Sequence, residues 1–69
     1  MKLNLKWENK FSKETGYVGK VSKAKGYFEN SDKENAKKYA SMKMVEKDIA
    51  ILNEIGEAEN NTFFAEDAE

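Results

Sequence analysis

The sequence predicts a small α+β domain in which an antiparallel sheet packs against one main helix. Two observations predict it: the first 30 residues contain three short segments with strand character, and the stretch after residue 41 carries apolar side chains at helical spacing. A chain of 69 residues forms one domain with a small core. We expect a three-stranded N-terminal meander, two helices and a C-terminal strand, in the two-layer order β-β-β-α-α-β over residues 1–69.

The first strand is predicted over residues 2–11 by its clean alternation. Leu3, Leu5, Trp7 and Phe11 share one parity, and lysines and other polar residues occupy the other. A period of two with one apolar side is typical of a half-buried antiparallel strand. We therefore expect all four apolar side chains to face the core.

The second and third strands are predicted over residues 17–22 and 26–30. Gly16 precedes the second strand in a polar turn, and as a glycine it is able to take a positive φ there. Gly19 interrupts that strand and indicates a β-bulge. A short hairpin connection ends at Gly26.

Two helices are predicted, over residues 32–40 and 42–55. Ser31 and Glu34 have the spacing of a capping box for the first helix. The apolar residues of the two segments would project to opposite sides of one straight helix, so we expect a break near Ser41, which caps the second helix.

The C-terminal part is predicted to end the main helix and return to the sheet. Gly56 is the expected helix stop, residues 62–65 form a short aromatic strand, and residues 66–69 are expected to be a frayed acidic end. The predicted core consists of apolar residues from the sheet and the second helix: Leu3, Leu5, Trp7, Val21, Phe28, Val45, Ile49, Leu52 and Phe63.

The composition argues against enzymatic function. The chain contains no His, Cys, Pro or Arg, so the usual general base, thiolate ligands and guanidinium groups are all missing. Adjacent carboxylates near the C-terminus are typical of a solvated acidic segment. We also expect too little volume for a substrate pocket of about 300 Å³. The sequence therefore predicts no catalytic residue, no metal site, no cofactor and no small-molecule substrate.

The near-zero net charge conceals two oppositely charged parts. Residues 1–43 carry eleven Lys against five Asp and Glu, a net of +6, and residues 44–69 carry one Lys against eight Asp and Glu, a net of −7. Such asymmetry indicates either that the two parts neutralise each other within the fold or a dimer, or that they meet different partners.

Nothing in the sequence predicts secretion or membrane insertion. The first residues lack an apolar signal region, and the longest apolar run spans four residues, 49–52, against the roughly 20 that a membrane-spanning helix needs. We expect a soluble protein of the bacterial cytoplasm.

Surplus apolar surface on the second helix predicts a protein interface. Met44, Ile51 and Ile55 form a second stripe beside the core stripe, wider than packing on one sheet requires, and Phe64 adds an aromatic side chain. The first helix or the terminal strand covers this stripe, or it contacts a protein partner. We expect that partner to be a second copy, giving a homodimer, or a host protein.

A second hypothesis is binding of single-stranded nucleic acid. Aromatic residues interleave with lysines along the predicted meander, an arrangement that can stack bases and hold phosphates. The absence of Arg and a pI near 5.5 argue against a dedicated binder. The candidate residues are Tyr17, Lys20, Lys23, Lys25 and Tyr27.

The chain also resembles a class of mobile-element proteins. The run from Asn35 to Ser41, the amphipathic helix and the run from Asn61 to Phe64 resemble small accessory proteins of bacteriophages and prophages from AT-rich bacteria. The resemblance covers residues 17–65. It implies binding that inhibits or redirects a host enzyme or defence complex, or that coats nucleic acid, and it transfers no functional residue. An assembly component of a larger particle is a further alternative.

Overall fold

The computed structural model describes residues 2–55 and 60–68, which form one four-stranded antiparallel sheet with a helix packed on one face. The predicted α+β class is confirmed. The spatial order of the strands is β3-β2-β1-β4, so β3 and β4 are the edges. The elements in chain order are β1 (Leu3–Asn9), β2 (Thr15–Ser22), β3 (Tyr27–Ser31), α1 (Met42–Glu54) and β4 (Asn61–Asp67).

The core lies between α1 and one face of the sheet. Four buried residues, Val18, Ala36, Tyr39 and Ile55, are absent from the predicted set. Four predicted residues, Trp7, Val21, Phe28 and Ile49, are only partly buried and pack at its margin. The buried hydrophobic residues are Leu3, Leu5, Val18, Ala36, Tyr39, Val45, Leu52, Ile55 and Phe63.

The predicted first helix is wrong. Residues 32–40 instead form a turn and an extended stretch that lies beside β1. Tyr39 exchanges two backbone hydrogen bonds with Leu3, each 2.9 Å, and Lys37 N donates to Val18 O at 3.2 Å. The segment thereby continues the sheet where β2 leaves β1, and it buries the Tyr39 ring almost completely.

The capping box expected at Ser31 and Glu34 is not formed. The carboxylate of Asp32 accepts hydrogen bonds from the backbone and side-chain nitrogens of Asn35, both at 2.9 Å. Such a local bond from side chain to backbone stabilises a turn in place of a helix. The polar residues that suggested a helix start therefore form an Asx-type turn.

Tyr39 also organises a buried polar contact that the sequence did not reveal. Its hydroxyl donates to Asp48 Oδ2 at 2.5 Å, and Lys37 Nζ lies 3.0 Å from the same oxygen and 4.9 Å from the centre of the Tyr39 ring. Burial, together with the hydrogen bond to Asp48, raises the pKa of Tyr39 well above its ordinary value of 10.0. The contact joins the segment before α1 to the helix itself.

The main helix begins where it was predicted to begin. The Ser41 side chain accepts a hydrogen bond from Met44 N at 3.4 Å, which confirms Ser41 as the N-cap. Val45 and Leu52 are fully buried against the sheet. The predicted helix stop at Gly56 lies outside the described residues.

The expected burial of Phe11 is wrong, because β1 ends at Asn9. The Asn9 side chain accepts from the backbone nitrogens of Phe11 and Ser12, both at 2.9 Å, and Lys13 takes a φ of 66°. The chain therefore turns before Phe11, which is 78% exposed. Beyond the end of a strand, the alternation of apolar and polar residues does not indicate which side of the sheet a side chain faces.

Three glycines in the meander have separate roles. The register shifts between Val18 and Lys20, which confirms the bulge at Gly19. Gly26 takes a φ of 69° in the second turn. Gly16 does not take a positive φ; a Cβ there would lie 2.6 Å from Trp7 Nε1, so Gly16 makes room for the indole.

The expected frayed end is also wrong at Glu66 and Asp67. Both residues belong to β4, which pairs with β1 along seven residues, from Leu3 opposite Asp67 to Asn9 opposite Asn61. The strand is therefore longer at both ends than the predicted residues 62–65.

Candidate functional site

One face of the sheet is not covered by α1. Its side chains alternate with those of the core residues on each strand. We call it the open face, and its residues are Asn4, Lys6, Glu8, Thr15, Tyr17, Lys20, Ser22, Tyr27, Glu29, Ser31, Thr62, Phe64 and Glu66.

Lys6 lies at the centre of the open face because the strand register places it opposite both Tyr17 and Phe64. Its Nζ is 5.1 Å from the centre of the Tyr17 ring and 5.8 Å from that of Phe64. Both distances are within the range of cation–π attraction. Phe64 nevertheless remains 39% exposed, so an aromatic surface is available at the edge of the sheet.

Glu66 completes this group of side chains. It accepts a hydrogen bond from the Tyr17 hydroxyl at 2.6 Å and lies 3.6 Å from Lys6 Nζ. The Tyr17 hydrogen bond, followed by the charges of Lys6 and Lys33, lowers the pKa of Glu66, and the same bond raises the pKa of Tyr17. We call Lys6, Tyr17, Phe64 and Glu66 the Lys6 cluster. The sequence assigned Glu66 to a solvated tail and so missed it.

Within the described residues, the outer edge of β4 presents unpaired backbone groups at Phe63 and Ala65. Ala68 N donates to Lys2 O at 3.0 Å, and Lys10 N donates to Asn60 O at 2.8 Å. In an antiparallel pair, hydrogen-bonded residues alternate with non-bonded ones. The even-numbered residues of β4 therefore face β1, and the backbone groups of Phe63 and Ala65 point away from it.

No described residue satisfies the backbone groups of Phe63 and Ala65 from outside the sheet. Natural edge strands are commonly protected by Lys, Pro or short length. β4 contains neither Lys nor Pro and is seven residues long, with acidic residues only at its end. Its outer edge therefore resembles a template for a further strand.

The predicted interface residues do not form one surface. Ile55 is 6% exposed and belongs to the core, and Ile51 is partly buried against the same core, so this part of the stripe is covered within the fold and is not available to a partner. Met44 is 46% exposed on α1. Phe64 lies on the opposite side of the sheet, since its neighbour Phe63 faces the core.

The predicted nucleic-acid residues are divided between the open face and a turn. Tyr17, Tyr27 and Lys20 lie on the open face, where Lys20 is paired with Glu29 across the strands. Lys23 and Lys25 lie in the turn between β2 and β3. Because Glu8, Glu29 and Glu66 share the open face with Lys6 and Lys20, the face offers no continuous basic path for a phosphate backbone.

The described residues contain neither a cluster of metal-ligating side chains nor a helix suited to a membrane. Within residues 2–55 and 60–68, acidic side chains do not gather in groups of three that could hold a metal ion. No helix among them is long and apolar enough to cross a membrane.

The fold and the open face define a small antiparallel α+β domain with an exposed strand edge. Comparisons with protein-family models, with curated proteins and with solved structures found no match to this chain.

Proposed function

We propose that this chain is a non-enzymatic protein-binding module whose docking site is the outer edge of β4 together with the exposed Phe64. Its partner adds an extended strand to the sheet, and the first such partner is a second copy of the chain. Strand addition derives affinity from backbone hydrogen bonds and specificity from alternate side chains. The single observation that carries the proposal is the outer edge of β4, where no described residue pairs with the backbone groups of Phe63 and Ala65.

The sequence of β4 is complementary to itself when two copies run antiparallel about Phe64. The outward-facing groups of Phe63 would meet those of Ala65 in the other copy, which is the pairing that exchanges hydrogen bonds. Phe64 would lie opposite Phe64, and the acidic Glu66 would lie opposite Thr62. No like charges would face each other, and an aromatic pair would form at the centre.

Such a dimer would have an eight-stranded sheet and closed two-fold symmetry. A symmetric interface uses the same patch on both copies and does not extend into fibres. It would also supply stability that a small core lacks, because domains below about 70–80 residues draw little more than 3–5 kcal/mol from one core. A host or defence protein, the target class that the phage-like sequence suggests, would dock by offering a strand to the same edge.

The oligomeric state over a range of concentrations tests this proposal. In sedimentation equilibrium, we expect the wild-type chain to pass reversibly from monomer to dimer. Phe64→Lys places two lysines opposite each other at the centre of the interface, and we expect it to weaken dimerisation about tenfold or more. Ala65→Pro removes one outward N–H, and we expect it to weaken dimerisation similarly, since proline is tolerated on an edge strand.

Phe11→Lys is the matched control, because Phe11 is equally aromatic and more exposed but lies in the turn after β1. We expect it to dimerise like the wild type. A chain that stays monomeric at all concentrations would contradict the proposal. Dimerisation that Phe64→Lys and Phe11→Lys affect equally would contradict it too. Circular dichroism of each variant confirms that the fold is retained.

A further inference from the structure

A shallow pocket of about 350 Å³ lies on the α1 side of the sheet. Its volume is larger than the sequence led us to expect. It is lined by residues of β1, β3, β4 and the turn before β2, and none of them comes from α1. The lining residues are Trp7, Asn9, Glu14, Phe28, Asn30 and Asn61.

The floor of the pocket is an aromatic platform held in one orientation. The Trp7 indole lies across Gly16, whose missing side chain leaves room for it, and its Nε1 donates to Asn30 Oδ1 at 2.9 Å. Phe28 packs edge-on against the buried Phe63, with ring centres 5.5 Å apart. Both rings are fixed by their contacts before any ligand arrives, so binding would not require them to be ordered.

The polar groups at the rim have a defined pattern of donors and acceptors. The side-chain oxygen of Asn30 is engaged by Trp7, and that of Asn61 accepts from Asn9 Nδ2 at 3.4 Å. Each amide therefore has its NH₂ group left to donate. The Glu14 carboxylate makes no ion pair or hydrogen bond with any described residue, so it is left to accept.

A purine base matches this pattern, and guanine matches it best. Proteins recognise unpaired bases by stacking them on aromatic rings and bonding their edges. Guanine presents two adjacent N–H donors, which one carboxylate can accept together, and its O6 and N7 accept from amides. Adenine offers one amino group, and pyrimidines cover less of an indole. We propose that this pocket binds a guanine base, stacked on Trp7 and held at its edge by Glu14 and the Asn amides.

This pocket lies on the opposite face of the sheet from Phe64 and shares Asn61 with β4, and its residues differ from the predicted nucleic-acid set. The predicted nucleic-acid residues are Tyr17, Lys20, Lys23, Lys25 and Tyr27, and none of these five lines the pocket. The ligand chemistry is a single unpaired base. It can come from a free nucleotide or from a single-stranded nucleic acid, and the experiment distinguishes the two sources.

Trp7 is the only tryptophan of the chain, so its fluorescence reports directly on the pocket. The chain is titrated with GMP, AMP, UMP and CMP, which carry the same phosphate, while tryptophan is excited where nucleotides do not absorb. We expect saturable quenching by GMP with a Kd of about 1 mM, because stacking on Trp7 acts together with the hydrogen bonds at the edge of the base. AMP should bind more weakly, and UMP and CMP should bind least.

Glu14→Gln tests the role of the carboxylate, with Glu29→Gln as its control on the open face. Both residues are exposed, so neither substitution should disturb the fold. We expect Glu14→Gln to lose the preference for GMP over AMP by about tenfold, and Glu29→Gln to keep it. No saturable response to GMP would overturn the proposal. Equal quenching by all four nucleotides would overturn it as well. Glucose is titrated as a further control, and quenching by glucose but by no nucleotide would also overturn it.

Two oligonucleotides then identify the source of the base. One is a short oligo(dT) with a single central guanine, and the other is the same oligo(dT) without it. If the guanine-containing strand binds at least tenfold more tightly than GMP, the source is single-stranded nucleic acid. If the guanine-containing strand and GMP bind with equal affinity, the source is a free nucleotide. Equal affinities of the two oligonucleotides for the protein would contradict recognition of the guanine base.

Discussion

The hydroxyl of Tyr39 is a buried polar group that connects two distant parts of the chain. It donates to Asp48 at 2.5 Å, and Tyr39 is itself 1% exposed. A buried hydrogen bond to a charged group contributes more than a bond between neutral groups, and removing one partner leaves the other incompletely satisfied. Substitution of Tyr39 should therefore lower the free energy of unfolding more than substitution at most other positions of the domain.

Tyr39→Phe is expected to lower the free energy of unfolding at neutral pH by about 1–3 kcal/mol, since Lys37 is then the one hydrogen-bond partner of the Asp48 carboxylate among the described residues. The raised pKa of Tyr39 adds a pH dependence. A raised folded pKa gives stability that is present below the unfolded value near 10 and is lost as pH rises beyond it. Urea unfolding of both chains from neutral to alkaline pH measures this; a constant difference above pH 10 would contradict it.

Glu66 has the opposite sign of pH dependence. Its pKa is lowered from its ordinary value of 4.5, first by the Tyr17 hydroxyl and then by Lys6. A lowered folded pKa gives stability that is present above the unfolded value and is lost as pH falls through the folded one. We expect Glu66→Gln to be less stable than wild type at neutral pH and to approach it as the pH falls below the ordinary pKa of 4.5.

The measurement for Glu66 is the free energy of unfolding against pH for wild type, Glu66→Gln and a control, Glu29→Gln. The Glu29 carboxylate is exposed on the same face and forms no contact with Tyr17. Parallel curves for wild type and Glu66→Gln across the acid range would show that the contact with Tyr17 adds no stability.

At the scale of elements, residues 32–40 are held by tertiary pairing in an extended form. The two hydrogen bonds between Leu3 and Tyr39 and the Asx-type turn at Asp32 replace the helix that the sequence predicted. Local capping patterns and Asx-type turns use the same residue types, so the sequence alone did not distinguish them. The burial of Tyr39 beside β1 favours the extended form of residues 32–40 over a helix.

Asp32→Ala and Glu34→Ala separate the turn from the predicted helix. The turn depends on the Asp32 carboxylate, so we expect Asp32→Ala to cost about 1 kcal/mol. Glu34 is exposed and makes no hydrogen bond or ion pair among the described residues, so Glu34→Ala should change stability by less than about 0.5 kcal/mol. A capping box would require Glu34→Ala to be costly, and that result in urea unfolding would contradict the turn.

At the scale of the whole molecule, the sequence predicted the elements whose signals are periodic. The alternation of Leu3, Leu5 and Trp7 gave β1, and the apolar stripe after Ser41 gave α1. The residues whose environment the sequence did not predict depend on where strands end and on contacts between distant residues. Ile55 is covered by the core, Phe11 lies beyond the end of its strand, and Glu66 is ordered by Tyr17, 49 residues away.

The candidate sites were predictable to a smaller extent than the fold. Phe64 was identified as an interface residue, but the free edge of β4 depends on the strand order, which the sequence does not contain. The Trp7 pocket depends on Gly16, whose role is visible only once β1 and β2 are paired.

The two charged parts of the chain meet in the ion pairs Lys6–Glu66 and Lys37–Asp48.

The central claim is that the outer edge of β4 takes up another strand. Amide hydrogen exchange at Phe63 and Ala65 tests it most directly, because their N–H groups point away from β1 and are unprotected in the monomer. We expect both amides to exchange rapidly in dilute solution and to become protected as the concentration rises, while the amide of Phe64, bonded to β1, stays protected throughout. Rapid exchange at Phe63 and Ala65 at every concentration, or protection that Phe64→Lys does not reduce, would contradict the claim.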